Sequence, residues 1–441
     1  MRRDSFRLLV VAALLLPGAT STAQNTPRPI AIVGVDVIPM DRERVLPAQT
    51  VIVERGVITR IGPARSVRPP AGATTIDGQG KFLIPGLADM HVHLAGPVEL
   101  QRALLELFVA NGVTSVLNMR GAPEHLALRR EVASSRAIGP TVCTVGPYVN
   151  EPFFRTADEV EEAVREQQRA GYDFIKMHGD LSRDAYARLN AVAREVGIRV
   201  IGHAPRTLGI EALFEERQYA LAHAEEFIYD RNHSSRDYLD VVPRIPALAQ
   251  SMVRTGTWLM PNLTAFKIIG LQVQDLAPVL ARPEMRFLPS AYRTGWGPET
   301  NPYTNRFARE QGPGIMARFE VLQQLVQGFQ SGGVRMLVGT DALNTGVVPG
   351  FSVHDELAEL VAAGLTPYQA LRAGTANAAE FVGVQDTRGT VASGREADLV
   401  LLDANPLTDI ANTRRIDGVM LRGRWFSRAQ IAVMLEKLAA M

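Results

Sequence analysis

Cysteine is almost missing from this chain. Cys143 is the only one in 441 residues. No disulfide can therefore form within the chain, which excludes a cystine-stapled scaffold and a thiolate zinc framework. Cys143 sits in the apolar stretch 141–145 and reads as a small buried hydrophobe, not a nucleophile. Lysine is scarce too. Lys81, Lys176, Lys267 and Lys437 are the four lysines among 47 basic residues, the rest being arginine. An excess of either charge is also lacking. With 47 basic and 46 acidic residues the formal net charge is +1, so no electrostatic footprint for nucleic acid or an anionic membrane is present. Past Gln24 there is no apolar run of the ~20 residues needed to cross a bilayer.

What is there begins with an expected export signal over residues 1–23. Arg2 and Arg3 form a basic start, and Leu8 to Leu16 is an apolar run of nine residues. Ser21-Thr22-Ala23 then supplies a small-residue cleavage site, with the mature chain starting near Gln24. Nine residues do not cross ~30 Å of hydrocarbon, so no membrane anchor is expected after cleavage. The expected location is periplasmic or secreted, from a bacterial cell, by either the general or the twin-arginine route.

The two ends of the chain are β-rich and the middle alternates. Short strands with turns fill residues 30–66, and similar patterns return at 397–402 and 416–421. Between them, candidate strands fall at 83–90, 113–118, 140–145, 172–177, 198–203, 219–223, 257–261 and 335–340. Helical periodicity separates them, at Val98 to Asn111, Ala157 to Ala170 and Arg183 to Val196 among others. Eight strands alternating with helices predict an α/β fold, a (β/α)8 TIM barrel. The insert at about 262–334 carries Trp296-Gly297-Pro298 and Asn301-Pro302-Tyr303 and is read as helices plus a lid over the barrel mouth.

The chemistry collects at strand ends. Asp89-Met90-His91-Val92-His93 closes the first barrel strand, and alternation along a strand puts His91 and His93 on one side, where two imidazoles can grip one cation. Lys176 ends the fourth strand, His203 the fifth, His223 the sixth and Asp341 the eighth. The C-terminal ends of barrel strands are where such enzymes keep their reactive groups. Each residue alone has a bland structural reading. As a set at one height they point to a metal centre.

The pattern resembles the amidohydrolase superfamily, in particular its imidazolonepropionase-like and Xaa-Pro dipeptidase-like branch. Three stretches carry the resemblance: Pro85 through His93, Gly112-Val113-Thr114-Ser115-Val116, and Gly389-Thr390-Val391 through Gly394-Arg395-Glu396-Ala397-Asp398-Leu399-Val400. It implies a barrel domain over 84–385 and a small β-sandwich built from both chain ends, 28–82 with 386–428. It implies two divalent metal ions, most readily zinc, with manganese, cobalt or iron open. His91 and His93 would bind one ion, His203 and His223 the other, and Lys176, carboxylated on its amine, would bridge them. Asp341 would bind the first ion and act as general base. Arginine could not replace Lys176 in this role, because its guanidinium stays protonated. Strand seven, Trp258-Leu259-Met260-Pro261-Asn262, lacks the histidine of the single-metal relatives, which argues against imidazolonepropionase activity itself.

The implied reaction is hydrolysis of a C–N amide bond by metal-activated hydroxide, in a dipeptide, an N-acyl amino acid or a cyclic amide. Ester, lactone or phosphotriester hydrolysis on the same metals is the alternative, and a non-catalytic binding protein is the third reading. Arg120, Tyr148, His178 and Glu226 are candidate substrate contacts near the mouth. His125, His233 and His354 read as structural or surface residues. The expected partner is a small-molecule amide; assembly into a homo-oligomer is left open.

Overall fold

A computed structural model describes residues 28–229 and 238–441. The expected export signal, residues 1–23, and His233 lie outside the described residues.

The N-terminal segment forms β1 (Ile30–Val37), β2 (Leu46–Glu54), β3 (Val57–Pro63), β4 (Thr74–Asp77) and β5 (Phe82–Pro85). The middle of the chain supplies β6 (Leu87–Val92), β7 (Val113–Asn118), β8 (Thr141–Thr144), β9 (Phe174–Met177), β10 (Arg199–Gly202), β11 (Ala220–Ala222) and β12 (Trp258–Met260). The C-terminal segment adds β13 (Leu399–Leu402), β14 (Ile416–Leu421) and β15 (Arg424–Ser427). β5 pairs antiparallel with β13, Leu83 opposite Leu401, so strands from both chain ends share one eight-stranded sheet. A buried cluster including Ile32, Val51, Leu83, Leu399, Leu401 and Met420 packs on it.

The expected strand 83–90 divides in two. Pro85 cannot donate a ladder hydrogen bond. Gly86 then lets the backbone pass close to Thr114, whose Oγ1 would lie 2.1 Å from any Cβ placed there. β5 therefore stays with the terminal sheet, and β6 starts the parallel strands.

Those parallel strands fall into two sheets. β6-β7-β8 form one and β9-β10-β11-β12 another. Isolated bridges continue the pairing, Val145 with Phe174, Leu259 with Met336 and Val92 with Ala342. The expected eighth strand, 335–340, is not a regular strand. Backbone bonds still tie it to both neighbours, Leu337 donating to the Leu259 carbonyl at 2.9 Å and Met90 to the Val338 carbonyl at 2.8 Å, but the Thr340 amide turns to Asp89 Oδ1 at 3.0 Å. One apolar cluster nonetheless joins all eight segments, through Ala88, Met90, Leu117, Val145, Phe174, Ile201, Ala220, Ala222, Trp258, Met260 and Leu337. Burying a large apolar side chain contributes about 1.5–3 kcal/mol, so this shared cluster holds the segments in register despite their shortness.

The helices expected from periodicity form over Ala157–Ala170 and Arg183–Val196, entered through the capping hydroxyls of Thr156 and Ser182. The insert is largely helical, with helices at Leu263–Gln274, Leu276–Leu280, Ser290–Gly295 and Gly312–Ser331. His125 and His354 are buried: His125 Nε2 meets the Leu94 carbonyl at 2.8 Å and His354 Nδ1 meets Thr413 Oγ1 at 3.0 Å.

Cys143 is half-buried against the shared cluster, and burial pushes its thiol up to about 12. The thiolate fraction at pH 8 falls about 10³-fold relative to the ordinary value of 9.0. Alkylation by iodoacetamide, followed by mass spectrometry, is expected to be slower than in the unfolded chain by at least that order. Equal rates in the folded and unfolded protein would remove Cys143 from the packed interior.

Candidate active site

The six residues expected as ligands end the segments that share the apolar cluster. Phe174 and Ile201 belong to the cluster, and Lys176 and His203 follow each by two positions, on the same side of the strand. β6 reaches the same level differently. A register shift between Asp89 and Val92 interrupts its pairing with β7, where His91 lies. His223 and Asp341 take left-handed backbone conformations, φ 72° and 58°. Such positions cost on the order of 1–3 kcal/mol and gather at functional sites.

His91, His223 and Asp341 are buried, and one ligand atom from each falls within 4.8 Å of the others. Asp341 Oδ1 lies 2.7 Å from His93 Nε2 and 3.3 Å from His91 Nε2. The His223 ring is centred 4.8 Å from both His91 and His203. Lys176 is 1% exposed, and its Nζ has no hydrogen-bond partner among the described residues. Room for its aliphatic chain comes from Gly202, where a Cβ would sit 2.7 Å from Lys176 Cδ.

Burial governs the protonation of this group. It holds His91 and His203 well below the ordinary histidine value, with Lys176 reinforcing the effect, and brings His223 down to about 3. The same desolvation lowers Lys176 to about 8. For Asp341, burial opposes ionisation, but the His93 hydrogen bond and the charges of His93, His223 and Lys176 outweigh it and bring the carboxyl to about 2. Neutral imidazoles, an ionised carboxylate and a lysine able to shed its proton are the forms that bind a divalent cation. His91 Nδ1 is a second buried atom of this group without a partner among the described residues. Orphaned donors and acceptors around a His/His/Asp cluster fit a metal site. The donor set of nitrogen and oxygen suits zinc and leaves manganese, cobalt and iron open.

Supporting residues hold the ligands in place. Glu226 is buried, and its Oε1 accepts from His203 Nδ1 at 2.7 Å and from Arg206 at 3.1 Å. That bond fixes the His203 tautomer and leaves Nε2 free to bind. Expected as a substrate contact, Glu226 is engaged with His203, itself expected as a ligand. Tyr148 stacks flat on His178 with centroids 4.4 Å apart, and the His178 ring meets that of His203 edge-on at 4.8 Å. The Arg120 guanidinium is exposed, 6.0 Å from the Tyr148 ring. Pairwise contacts thus link His203 to His178, Tyr148 and Arg120 in turn.

Asp89 and Asn262 carry roles that the sequence did not suggest. The Asp89 carboxylate accepts from the His91 amide at 3.2 Å and from Thr340 Oγ1 at 2.6 Å, tying β6 to the eighth segment. Asn262 accepts from the His223 amide at 3.2 Å and donates to the Gly339 carbonyl at 2.8 Å. Both polar residues at strand ends were visible in the sequence; their partners, 251 and 77 residues away for Thr340 and Gly339, were not.

The amidohydrolase family model matches residues 82–426. A dihydroorotase of Trichlorobacter lovleyi is 31% identical over 163 residues, 35% of this chain, and the match spans only 37% of that relative. An enamidase of Eubacterium barkeri is 23% identical over 377 residues, 83% of this chain and 84% of the relative. The solved structure of a Xaa-Pro dipeptidase with methionine bound in its active site superposes with a TM-score of 0.70 at 17% identity, over 90% of this chain and 100% of that one.

Proposed function

This chain belongs to the amidohydrolase family and is a hydrolase, and from that premise we propose that it cleaves a C–N amide bond at two divalent metal ions in the mouth of a (β/α)8 barrel. The observation that carries the reading is the convergence of His91, His223 and Asp341 within 4.8 Å, beside a buried lysine amine that has no hydrogen-bond partner among the described residues. The candidate substrates are a dipeptide, an N-acyl amino acid or a cyclic amide. The enamidase and the Xaa-Pro dipeptidase among the similar proteins support a C–N bond as the target.

His91, His93 and Asp341 would hold one ion, His203 and His223 the other, and Lys176, carboxylated on Nζ, would join the two. Bound divalent ions supply Lewis acidity toward the scissile carbonyl and lower the pKa of water at the site. Asp341 takes the proton of the attacking water and returns it to the leaving amine. Glu226 orients His203, while Arg120, Tyr148 and His178 form the wall against which a substrate carboxylate or carbonyl would rest. The export of the chain, the division into 84–385 and a two-ended β-sandwich of 28–82 with 386–428, and the lid role of the insert belong to the same proposal.

The test is a screen of metal-loaded protein against dipeptides, N-acyl amino acids and cyclic amides, with esters, lactones and phosphotriesters alongside. Turnover confined to esters, lactones or phosphotriesters would replace the amide reading with the alternative. No turnover of any class, with tight binding of one, would make the chain a binding protein.

A further inference from the structure

We propose that Asn344 and Tyr303 are positioning residues that fix which oxygen of Asp341 faces the metal ligands and which is left to carry the proton. The inference rests on the metal-site reading above.

The two oxygens of Asp341 have different company. Oδ1 faces His93 Nε2 at 2.7 Å and His91 Nε2 at 3.3 Å. Oδ2 accepts from Asn344 Nδ2 at 2.6 Å. The Asn344 amide cannot be turned round. Its Oδ1 accepts from the Tyr303 hydroxyl at 2.7 Å, so its nitrogen must face the carboxylate. A flipped amide would set an oxygen against the ionised Oδ2.

Tyr303 is itself anchored. Its amide donates to Asn301 Oδ1 at 2.9 Å, and Asn301, fully buried, donates to Gln272 Oε1 at 2.8 Å. Gln272 Nε2 donates in turn to the Thr345 carbonyl at 3.2 Å. The circuit runs from the insert to the loop carrying Asn344 and closes beside it. The residues 296–311, which carry Trp296-Gly297-Pro298 and Asn301-Pro302-Tyr303, thus reach the ligand set through two side chains.

A hydrogen bond to an ionised acceptor is short and about twice as strong as a neutral one. Without it the Asp341 carboxylate is free to rotate and present both oxygens to the cations, and the separate proton acceptor is lost. Groups that hold a metal ligand typically cost about 10–100-fold in metal affinity or activity when removed. Asn344→Ala is expected in that range. Tyr303→Phe removes only one neutral hydrogen bond further out and is expected to cost about two- to tenfold.

The experiment is a double-mutant cycle on the full chain, read by zinc competition against a chelating indicator and by melting temperature. Kinetics on whichever substrate the screen yields are measured alongside. Tyr303→Phe should lose its effect in the Asn344→Ala background, because it acts only through Asn344. Asn305→Ala, on the same insert with a side chain that donates to the Glu299 carbonyl, should change nothing. Folded Asn344→Ala with unchanged zinc affinity would overturn the proposal. So would a Tyr303→Phe effect that persists in full without Asn344. If Asn344→Ala does not fold, Tyr303→Phe alone decides, and unchanged affinity overturns the relay. Absence of amide turnover with the zinc response intact refutes only the amide reading; a wild-type chain that binds no zinc refutes both.

Discussion

Asp341→Asn is expected to lower kcat by a factor of about 10²–10⁴, the usual loss when a general base is removed. Metal content should stay near that of the wild type, because the amide still offers an oxygen to His91's side of the site. It cannot accept a proton near neutral pH. Substrate binding should change little, which is the mark of a group used in the transition state. The substitution is also a clean one for the backbone. Asp341 has φ 58°, and asparagine is among the residues that tolerate that region best. The competing account makes Asp341 a structural corner: its amide donates to the His91 carbonyl and its carbonyl accepts from the Asn344 amide. Those backbone bonds survive the substitution, so a structural role predicts a melting temperature and a kcat both close to wild type. Metal content, melting temperature and kcat from one preparation separate the two, and a near-normal kcat removes Asp341 from the mechanism.

Much of this site was legible because it is written locally. His91 and His93 are two residues apart, and Lys176, His203, His223 and Asp341 each close a short apolar run. Helices such as Ala157–Ala170 are bounded by a capping hydroxyl and carry apolar residues at helical spacing. What could not be read is the partner of each supporting group. Glu226 looked like a substrate contact because it follows His223 by three; its real neighbour, His203, is 23 residues away. Separation in sequence likewise hides Tyr303 from Asn344, 41 residues apart. The eighth segment misled for a related reason. Met336-Leu337-Val338 has a strand's composition and does exchange backbone bonds with Leu259 and Met90, but the run is cut short where the Thr340 amide turns to the Asp89 carboxylate instead of a backbone carbonyl.

Lys176→Met separates the metal-binding role of this lysine from a packing role with opposite expected signs. Lys176 is among the largest fully buried side chains, at 1% exposure, and its Nζ makes no hydrogen bond among the described residues. A structural lysine would hydrogen-bond a carboxylate directly, and its replacement would leave that buried charge alone and destabilise the chain. Here methionine fills about the same volume without the amine. In metal-free protein the variant should therefore be more stable, by about 1–3 kcal/mol, the cost of one buried polar group left unsatisfied. In metal-loaded protein the order should reverse. The wild type, grown with bicarbonate and metal, should hold close to two ions per chain, and the variant fewer. Metal bound only to the folded state adds stability through mass action, and the variant forgoes that gain. Activity should fall to a small residue, since His203 and His223 would lose the group that links them to His91 and His93. Elemental analysis giving one ion in the wild type, and the same in Lys176→Met, would count against the carboxylated lysine. A metal-free variant less stable than the wild type would show that the amine has a partner in solution, and the reading of Lys176 as an empty-handed ligand would have to go.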